Sequence, residues 1–390
     1  IPAGLWAARE HPIIYNNPTL LRYVSFTPQD ILGQSRIFLW QAALKGIRER
    51  PILGWGQENF PILFQKHYNP RMHFAEPWYD RAHNWVLDWL AQAGALGFIA
   101  FLALVGSALW ILIRNIRRSL AVDAAGRVNP PGGMVFWTGM MMASAIVGHL
   151  LTNLFLFDSL VTYIVFFALL AYVNNLATSE EKRPLSYGAF NPVWGAAVGV
   201  TLLAAVFVFG YFFHWKAIRE SMALEGVLQA AEAGAAPLVL KEGLARTLAY
   251  HTFGDAEVLE RMRGPTRRII FNERISVEER KQLVDFVAGE FRKIVDRPTP
   301  NTKQMISFAA ILSNAAYLDP AYRAEAEQLL KKAIELSPQK QILYFELAQL
   351  YLRGEQFSEA LRVLREAMLL DPSYTLAVTN YLAAAVIAQD

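Results

Sequence analysis

Apolar and polar positions are segregated along this 390-residue chain. Residues 193–213 carry no formal charge, and as a helix that run is long enough to cross the roughly 30 Å hydrocarbon core of a bilayer. Three earlier segments share the pattern. The first covers about 87–113, with Asp88 and Gln92 near its start, and is ended by the basic RNIRRS sequence. A second, about 134–157, follows the turn-forming NPPGG at 129–133, and a third covers about 159–177. Residues 1–86 and 216–390 show no comparable run. The pattern therefore predicts an all-α protein with about four membrane spans in 87–215, a non-embedded stretch in front of them and a soluble tail behind.

The tail has a period of its own. At an offset of 34 residues, Tyr317 falls on Tyr351, Ala326 on Ala360, Leu330 on Leu364, Ala333 on Ala367 and Pro338 on Pro372, which marks a stacked array of helical hairpins. Small residues at 348, 360 and 367 let paired helices approach, and Pro372 ends the second helix of its pair. The predicted repeats are 307–340 and 341–374, with a capping helix at 375–388. Residues 216–306 read as degenerate hairpins with breaks at 234–237, 264–265 and 297–300, because two repeats alone bury too little apolar surface. Core packing is the ordinary role of the aromatic and aliphatic stripes in such helices.

Composition narrows the class. With 54% apolar residues and a mean hydropathy of +0.22, the chain is too apolar for an ordinary soluble protein and too polar for a wholly embedded one. The net charge of +3 is spread without a basic tail, so no nucleic-acid partner is expected. The absence of cysteine excludes disulfides, thiolate metal sites and cysteine nucleophiles. The opening IPAGLWAAREHPIIYNN lacks the basic start and apolar core of a signal peptide, and it reads as the beginning of a fragment with further spans upstream.

Basic residues set the expected orientation. Arg114, Arg117, Arg118 and Arg127 follow the first span, and Lys182 and Arg183 follow the third, whereas the connection at Asp158 has none. By the positive-inside rule both basic loops are cytoplasmic. With four crossings, 1–86 and 216–390 then lie on the extracytoplasmic side, in a bacterium outside the plasma membrane. Lys216 and Arg219 beyond the fourth span argue mildly the other way.

Candidate chemistry gathers in residues 35–98. Arg36 offers a forked guanidinium suited to a phosphate or diphosphate, although an arginine snorkelling to headgroups is an equally ordinary use. His83 carries an imidazole that is neutral near neutrality and able to take a proton from a hydroxyl; its blander role is a polar residue beside the cap of the first span, with Asn84 bonding exposed backbone N–H groups. Arg81 reads as a second phosphate contact or an interfacial anchor. Gly54 and Gly56 lack the Lys-Ser/Thr ending of a nucleotide loop and read as a tight turn that returns the chain toward the membrane. Trp55, Trp78, Tyr79, Trp85 and Trp89 suit a headgroup interface. Polar residues at membrane depth are often functional, and His149 and Asn153, four apart on one helical face, together with Asp158 at the apex between the second and third spans, are candidates to line an acceptor or diphosphate cavity near His83, with helix–helix hydrogen bonding and apex solvation as equally good explanations. His67 and His73 do not form a metal-binding pattern; no metal or cofactor is expected.

The ordered set Arg36 with Trp40 one turn later, Pro51-x-x-Gly54-x-Gly56, and His83-Asn84 opening a membrane helix that continues through Gly94 and Gly97 resembles the O-antigen ligase family, which shares a domain with O-antigen polymerases and bacterial protein O-oligosaccharyltransferases. The likeness covers roughly residues 30–175, and the repeats resemble the tetratricopeptide type. The resemblance implies metal-independent transfer of a glycan from an undecaprenyl diphosphate carrier to an acceptor hydroxyl at the outer face of the plasma membrane. It places an Arg on the diphosphate and a His near the attacking hydroxyl, here Arg36 and His83, with Arg81, Asn84, His149 and Asp158 as candidate substrate contacts. A further essential Arg of the family, upstream of the first, has no counterpart in this chain. Implied partners are the lipid-linked glycan, an acceptor glycan, lipid or protein, membrane lipids, and a protein at the repeat array. Two rivals are a membrane-anchored repeat scaffold that recruits envelope proteins and a flippase subunit, for which the spans offer little polar pathway.

Overall fold

The computed structural model describes residues 11, 12, 16, 31–120, 134–179, 192–299 and 301–388. The turn at 129–133 and the basic residues Arg127, Lys182 and Arg183 lie outside the described residues. Every regular element among the described residues is helical. The chain divides into two compact units, Ile1–Pro184 and Leu185–Asp390.

In the first unit, α1 (Ile31–Glu49) and α2 (Phe60–Lys66) precede the long α3 (Trp85–Ser119), followed by α4 (Met134–Asn153) and α5 (Leu160–Ser179). Residues in front of α3 build their own small core. Leu39, Ala43, Phe60, Leu63, Phe64 and Met72 are fully buried and pack with Ala82 and with Ala91 of α3. Apolar burial of this kind drives the segment to fold down on the start of the span. A second cluster binds the long helices together through Phe101, Val105, Ala108 and Leu112 of α3, Ile146 of α4, and Phe166 and Val173 of α5.

Among the described residues, three helices are long and apolar enough to cross a membrane, over Trp85–Ser119, Leu160–Ala177 and Val193–Glu232. The segment expected as the second span is helical only over Met134–Asn153, where His149 and Asn153 dilute its apolar character near the end. It packs closely on α3: a Cβ on Gly139 would lie 2.8 Å from Ile116.

Span α3 is broken. Gly94 has φ 64° and ψ −170°, a region essentially restricted to glycine. Two hydrogen bonds of a regular helix, from Ala95 to Ala91 and from Leu96 to Gln92, are replaced by bonds to the Pro51–Gly56 turn. Trp55 and Gly56 donate to the carbonyls of Ala91 and Gln92 at 2.8 and 2.9 Å, while Ala95 and Leu96 donate to Pro51 and Ile52 at 2.8 and 3.3 Å. Irregular backbone near a bilayer is tolerated when its polar groups are satisfied by protein, and here the turn supplies the partners of these four groups. Glycine is required on both sides, since a Cβ on Gly54 would sit 2.7 Å from the Gln92 carbonyl oxygen and one on Gly94 would sit 2.2 Å from that of Ile52. The turn expected at Gly54 and Gly56 is therefore an interlock with the span.

In the second unit, α6 (Pro192–Phe209) passes through a π turn (Gly210–Trp215) into α7 (Lys216–Glu232). The expected end of the fourth span near residue 213 is not an end of the helix. Lys216 and Arg219 terminate an apolar run, but charges do not stop a helix: it continues through Gly226, a single glycine that a helix tolerates, and turns at Gly234, with φ 80°. Large apolar side chains from Val193 to Phe209 are exposed around the whole circumference, as a lipid-facing helix requires.

The tail continues through α8 (Pro237–Leu248), α9 (Asp255–Arg261), α10 (Arg263–Ile270) and α11 (Val277–Val295). The break expected at Gly264-Pro265 is instead the first turn of α10, a position where proline's missing N–H costs no hydrogen bond. Two hairpins follow, α12 (Thr302–Ala315) with α13 (Pro320–Leu336) and α14 (Gln341–Leu352) with α15 (Phe357–Leu370), capped by α16 (Thr375–Ile387). The alanines at 326, 333, 348, 360 and 367 are at most 1% exposed, which is why the 34-residue pattern shows small residues there. Tyr351 is buried and donates to Glu327 at 2.9 Å, whereas its periodic counterpart Tyr317 is exposed, stacks on Phe271 and donates to the Ile270 carbonyl. The first repeat thus uses its tyrosine to join the array to α10.

Candidate functional site

The site is built where the start of α3, the end of α4 and the start of α5 meet. Asn84 caps α3: its side-chain oxygen accepts from Val86 and Leu87 at 3.0 and 3.2 Å. Its amide nitrogen donates to the Leu154 carbonyl at 3.0 Å, which ties the start of the first span to the residue after α4. Asn84 thus serves as both cap and tether.

His83, immediately before the cap, has φ 54°. A left-handed conformation at a non-glycine residue is uncommon and costs about 1–3 kcal/mol where the surroundings enforce it. The surroundings are visible. The Ala82 N–H donates to the buried Asp88 carboxylate at 2.6 Å, the Ala82 carbonyl accepts from the Trp40 indole at 3.0 Å, and Asn84 is fixed as described. The Arg36–Trp40 spacing has a physical meaning in this arrangement: Trp40, one turn after Arg36 on α1, docks that helix on the residue preceding His83.

His83 is half-buried, with its ring edge-on to Tyr79 at 5.7 Å and to Phe157 at 4.9 Å. Burial, followed by the positive charges of Arg36 and Arg81, holds its imidazole below the usual histidine range, with Asp80 opposing. The field of Arg36 also reaches Tyr79, whose hydroxyl is pushed up by burial and bonds Ser35. Arg36 and His83 thus share one electrostatic neighbourhood, in which the imidazole is neutral at neutral pH and a guanidinium is charged.

Arg81 is a second neighbour of Phe157. Its guanidinium is 5.9 Å from the Phe157 ring centroid and donates to Glu58 at 2.7 Å. Glu58 itself has φ 61° and its N–H donates to the buried Gln92 side chain at 2.9 Å. The interlocked turn and the broken span therefore fix the partner of Arg81. Beside them is a cleft of about 250 Å³ whose wall includes Arg81, Trp85, Asp88, Gln92, Phe157 and Asp158. His83 and Arg36 do not line this cleft.

Asp158 anchors the far wall. Its Oδ1 accepts from Asn153 at 2.8 Å and Thr162 at 3.1 Å and lies 3.2 Å from His149 Nε2. The His149 ring stacks on Phe166 at 5.0 Å. The two polar residues on one face of α4 are thus joined to the apex residue in one network. Glu58, Phe157, Thr162 and the Ala82–Asp88 bond were not singled out in the sequence. Their pairings reach as far as Arg81 to Phe157, 76 positions, and leave no local signal, although Asp88 in the first turn of an apolar span is a visible anomaly. Among the described residues, no group of three or more His, Asp or Glu side chains is placed to hold a metal ion.

Residues 13–102 match the family model described as O-antigen ligase, and residues 323–381 match a tetratricopeptide-repeat model. A comparison with curated proteins finds no match. Fold and matches together point to a multi-pass membrane protein with a segment similar to the O-antigen ligase model and a tail similar to the tetratricopeptide-repeat model. The matched segment contains Arg36, Trp40, the interlocked turn, His83, Asn84 and the broken start of α3.

Proposed function

We propose that the protein transfers a glycan from an undecaprenyl diphosphate carrier to an acceptor hydroxyl at the extracytoplasmic face of a bacterial plasma membrane. The match to the O-antigen ligase model supports glycan transfer of the ligase or polymerase type, and the single observation that carries the residue assignment is the shared neighbourhood of Arg36 and His83. His83 takes the proton of the attacking hydroxyl as its oxygen bonds to the anomeric carbon. The bond from that carbon to the diphosphate breaks, its electrons pass to the leaving phosphate oxygen, and Arg36 stabilises the charge that gathers there. One displacement inverts the anomeric centre, and no metal is needed. The acceptor is a glycan, a lipid or a protein; helical-repeat arrays bind peptides along their concave face, which favours a protein acceptor or partner at the tail.

The test is transfer from an undecaprenyl-diphosphate-linked glycan in membranes containing the full-length protein. His83→Ala and Arg36→Ala each lower the rate by about 10² or more, the scale of losing a general base or a charge-stabilising donor, and excess chelator leaves the wild-type rate unchanged. Near-normal transfer by both variants removes the mechanism and favours the scaffold reading.

A further inference from the structure

The cleft beside Arg81 has no part in the chemistry assigned to Arg36 and His83, yet it is a formed cavity one aromatic ring away from them. Its chemistry differs from that of the Arg36 side. Two carboxylates, Asp88 and Asp158, line it against one guanidinium, that of Arg81, which already holds Glu58 at 2.7 Å. Such a lining repels a phosphate and offers acceptors to hydroxyl groups. A carboxylate accepts about four hydrogen bonds; Asp158 Oδ1 receives those of Asn153 and Thr162 and has His149 Nε2 at 3.2 Å, contacts that fix its orientation while leaving capacity for a ligand O–H. The remaining wall is aromatic. Trp89 is held rigid by stacking on Phe101 at 4.5 Å, and Phe157 is held by its edge contact with the His83 ring at 4.9 Å. Flat apolar faces set among a few fixed polar groups are the usual construction of a small-molecule site; about 250 Å³ is below the roughly 300 Å³ at which drug-sized pockets begin, which leaves room for a single ring.

We infer that this cleft is a saccharide subsite that takes one uncharged pyranose ring, with Phe157 as the partition between it and the reacting centre. This assignment rests on the glycan-transfer reading for its biological meaning, but not for its test. The ring belongs either to the donor glycan or to the acceptor; the chemistry recognised is the same. In either case the lipid diphosphate stays on the Arg36 side, because the cleft's own charges exclude it.

The experiment is ligand-observed saturation-transfer NMR on the detergent-solubilised full chain, with methyl α-D-glucopyranoside and methyl N-acetyl-α-D-glucosaminide as probes. Wild-type protein gives a saturable signal with at least one of them. Asp158→Asn weakens it about tenfold, the scale of one hydrogen bond to a charged group, and Ala93→Leu, which adds volume to the cleft wall, does the same without touching the polar network. His83→Ala retains the signal, so normal transfer by this variant together with retained binding refutes only the catalytic assignment. Added inorganic diphosphate leaves the signal in place. Competition of the bound glycoside with lipid-linked donor assigns the ring to the donor, and competition with acceptor assigns it to the acceptor. No saturable signal from either probe, an unchanged signal in both cleft variants, or displacement by diphosphate overturns the inference.

Discussion

Replacing Gly94 with alanine tests the interlock between the Pro51–Gly56 turn and the first span. Two costs combine. Alanine at φ 64°, ψ −170° is strained by about 1–3 kcal/mol. Its Cβ would also stand 2.2 Å from the Ile52 carbonyl oxygen and 2.4 Å from its carbon, and both atoms are backbone, so the turn must move. If it leaves, the four bonds linking it to α3 are lost at about 0.5–1.5 kcal/mol each, for a combined cost of about 3–9 kcal/mol, comparable with the whole stability of many domains. Thermal denaturation of the detergent-solubilised protein should show a Tm lowered by several degrees or more, and trypsin should cut faster at the exposed Arg48. Gly106→Ala provides the control, because a Cβ there meets nothing within 4 Å and alanine is the better helix former. A Gly94→Ala protein with the melting point and protease resistance of the wild type would refute the interlock.

Two further outcomes follow from the same geometry. Asn84→Ala removes both an N-cap and the bond to the Leu154 carbonyl, a loss of about 1–3 kcal/mol, and should lower the Tm while Asn84→Asp, which keeps the cap acceptor, loses less; equal melting points for all three proteins would contradict this. Because the chain has no cysteine, single replacements report orientation directly: Asp80→Cys should react with a membrane-impermeant maleimide added to the outside of cells and Arg127→Cys should not, and the reverse labelling would place the site on the wrong face for a lipid-diphosphate donor.

The features legible in the sequence were those that a local physical constraint writes into every residue of a segment. A bilayer demands an unbroken apolar run, so the spans at Trp85–Ser119 and Leu160–Ala177 and the start of the one at Val193 could be read directly. Stacked hairpins demand small residues at a fixed period, so Ala348, Ala360 and Ala367 announced the array. His83 and Asn84 could be placed at the head of a span because a cap has a local signature. Features that depend on partners far along the chain were not legible. The sequence places Gly94 within a membrane helix but gives no sign of its contact with Ile52, and it suggests a phosphate contact or interfacial anchor for Arg81 but not its pairing with Glu58, 23 positions away. The continuation of α6 into α7 was missed for a different reason: Lys216 marks where lipid exposure should end, and that boundary was taken for the end of the helix as well.

The most direct test of the central claim is the pH dependence of kcat/KM for glycan transfer in wild-type protein and in Arg36→Gln. The neutral imidazole of His83 is the active form, so the rate falls as pH drops through its pKa. Burial and the Arg36 charge hold that pKa below the usual histidine range, which puts the acid limb of the wild type below that range too. Removing the Arg36 charge makes the imidazolium easier to form, so the residual activity of Arg36→Gln should show an acid limb shifted to higher pH. An acid limb that stays in place, or moves to lower pH, would contradict a base at His83 working in the field of Arg36.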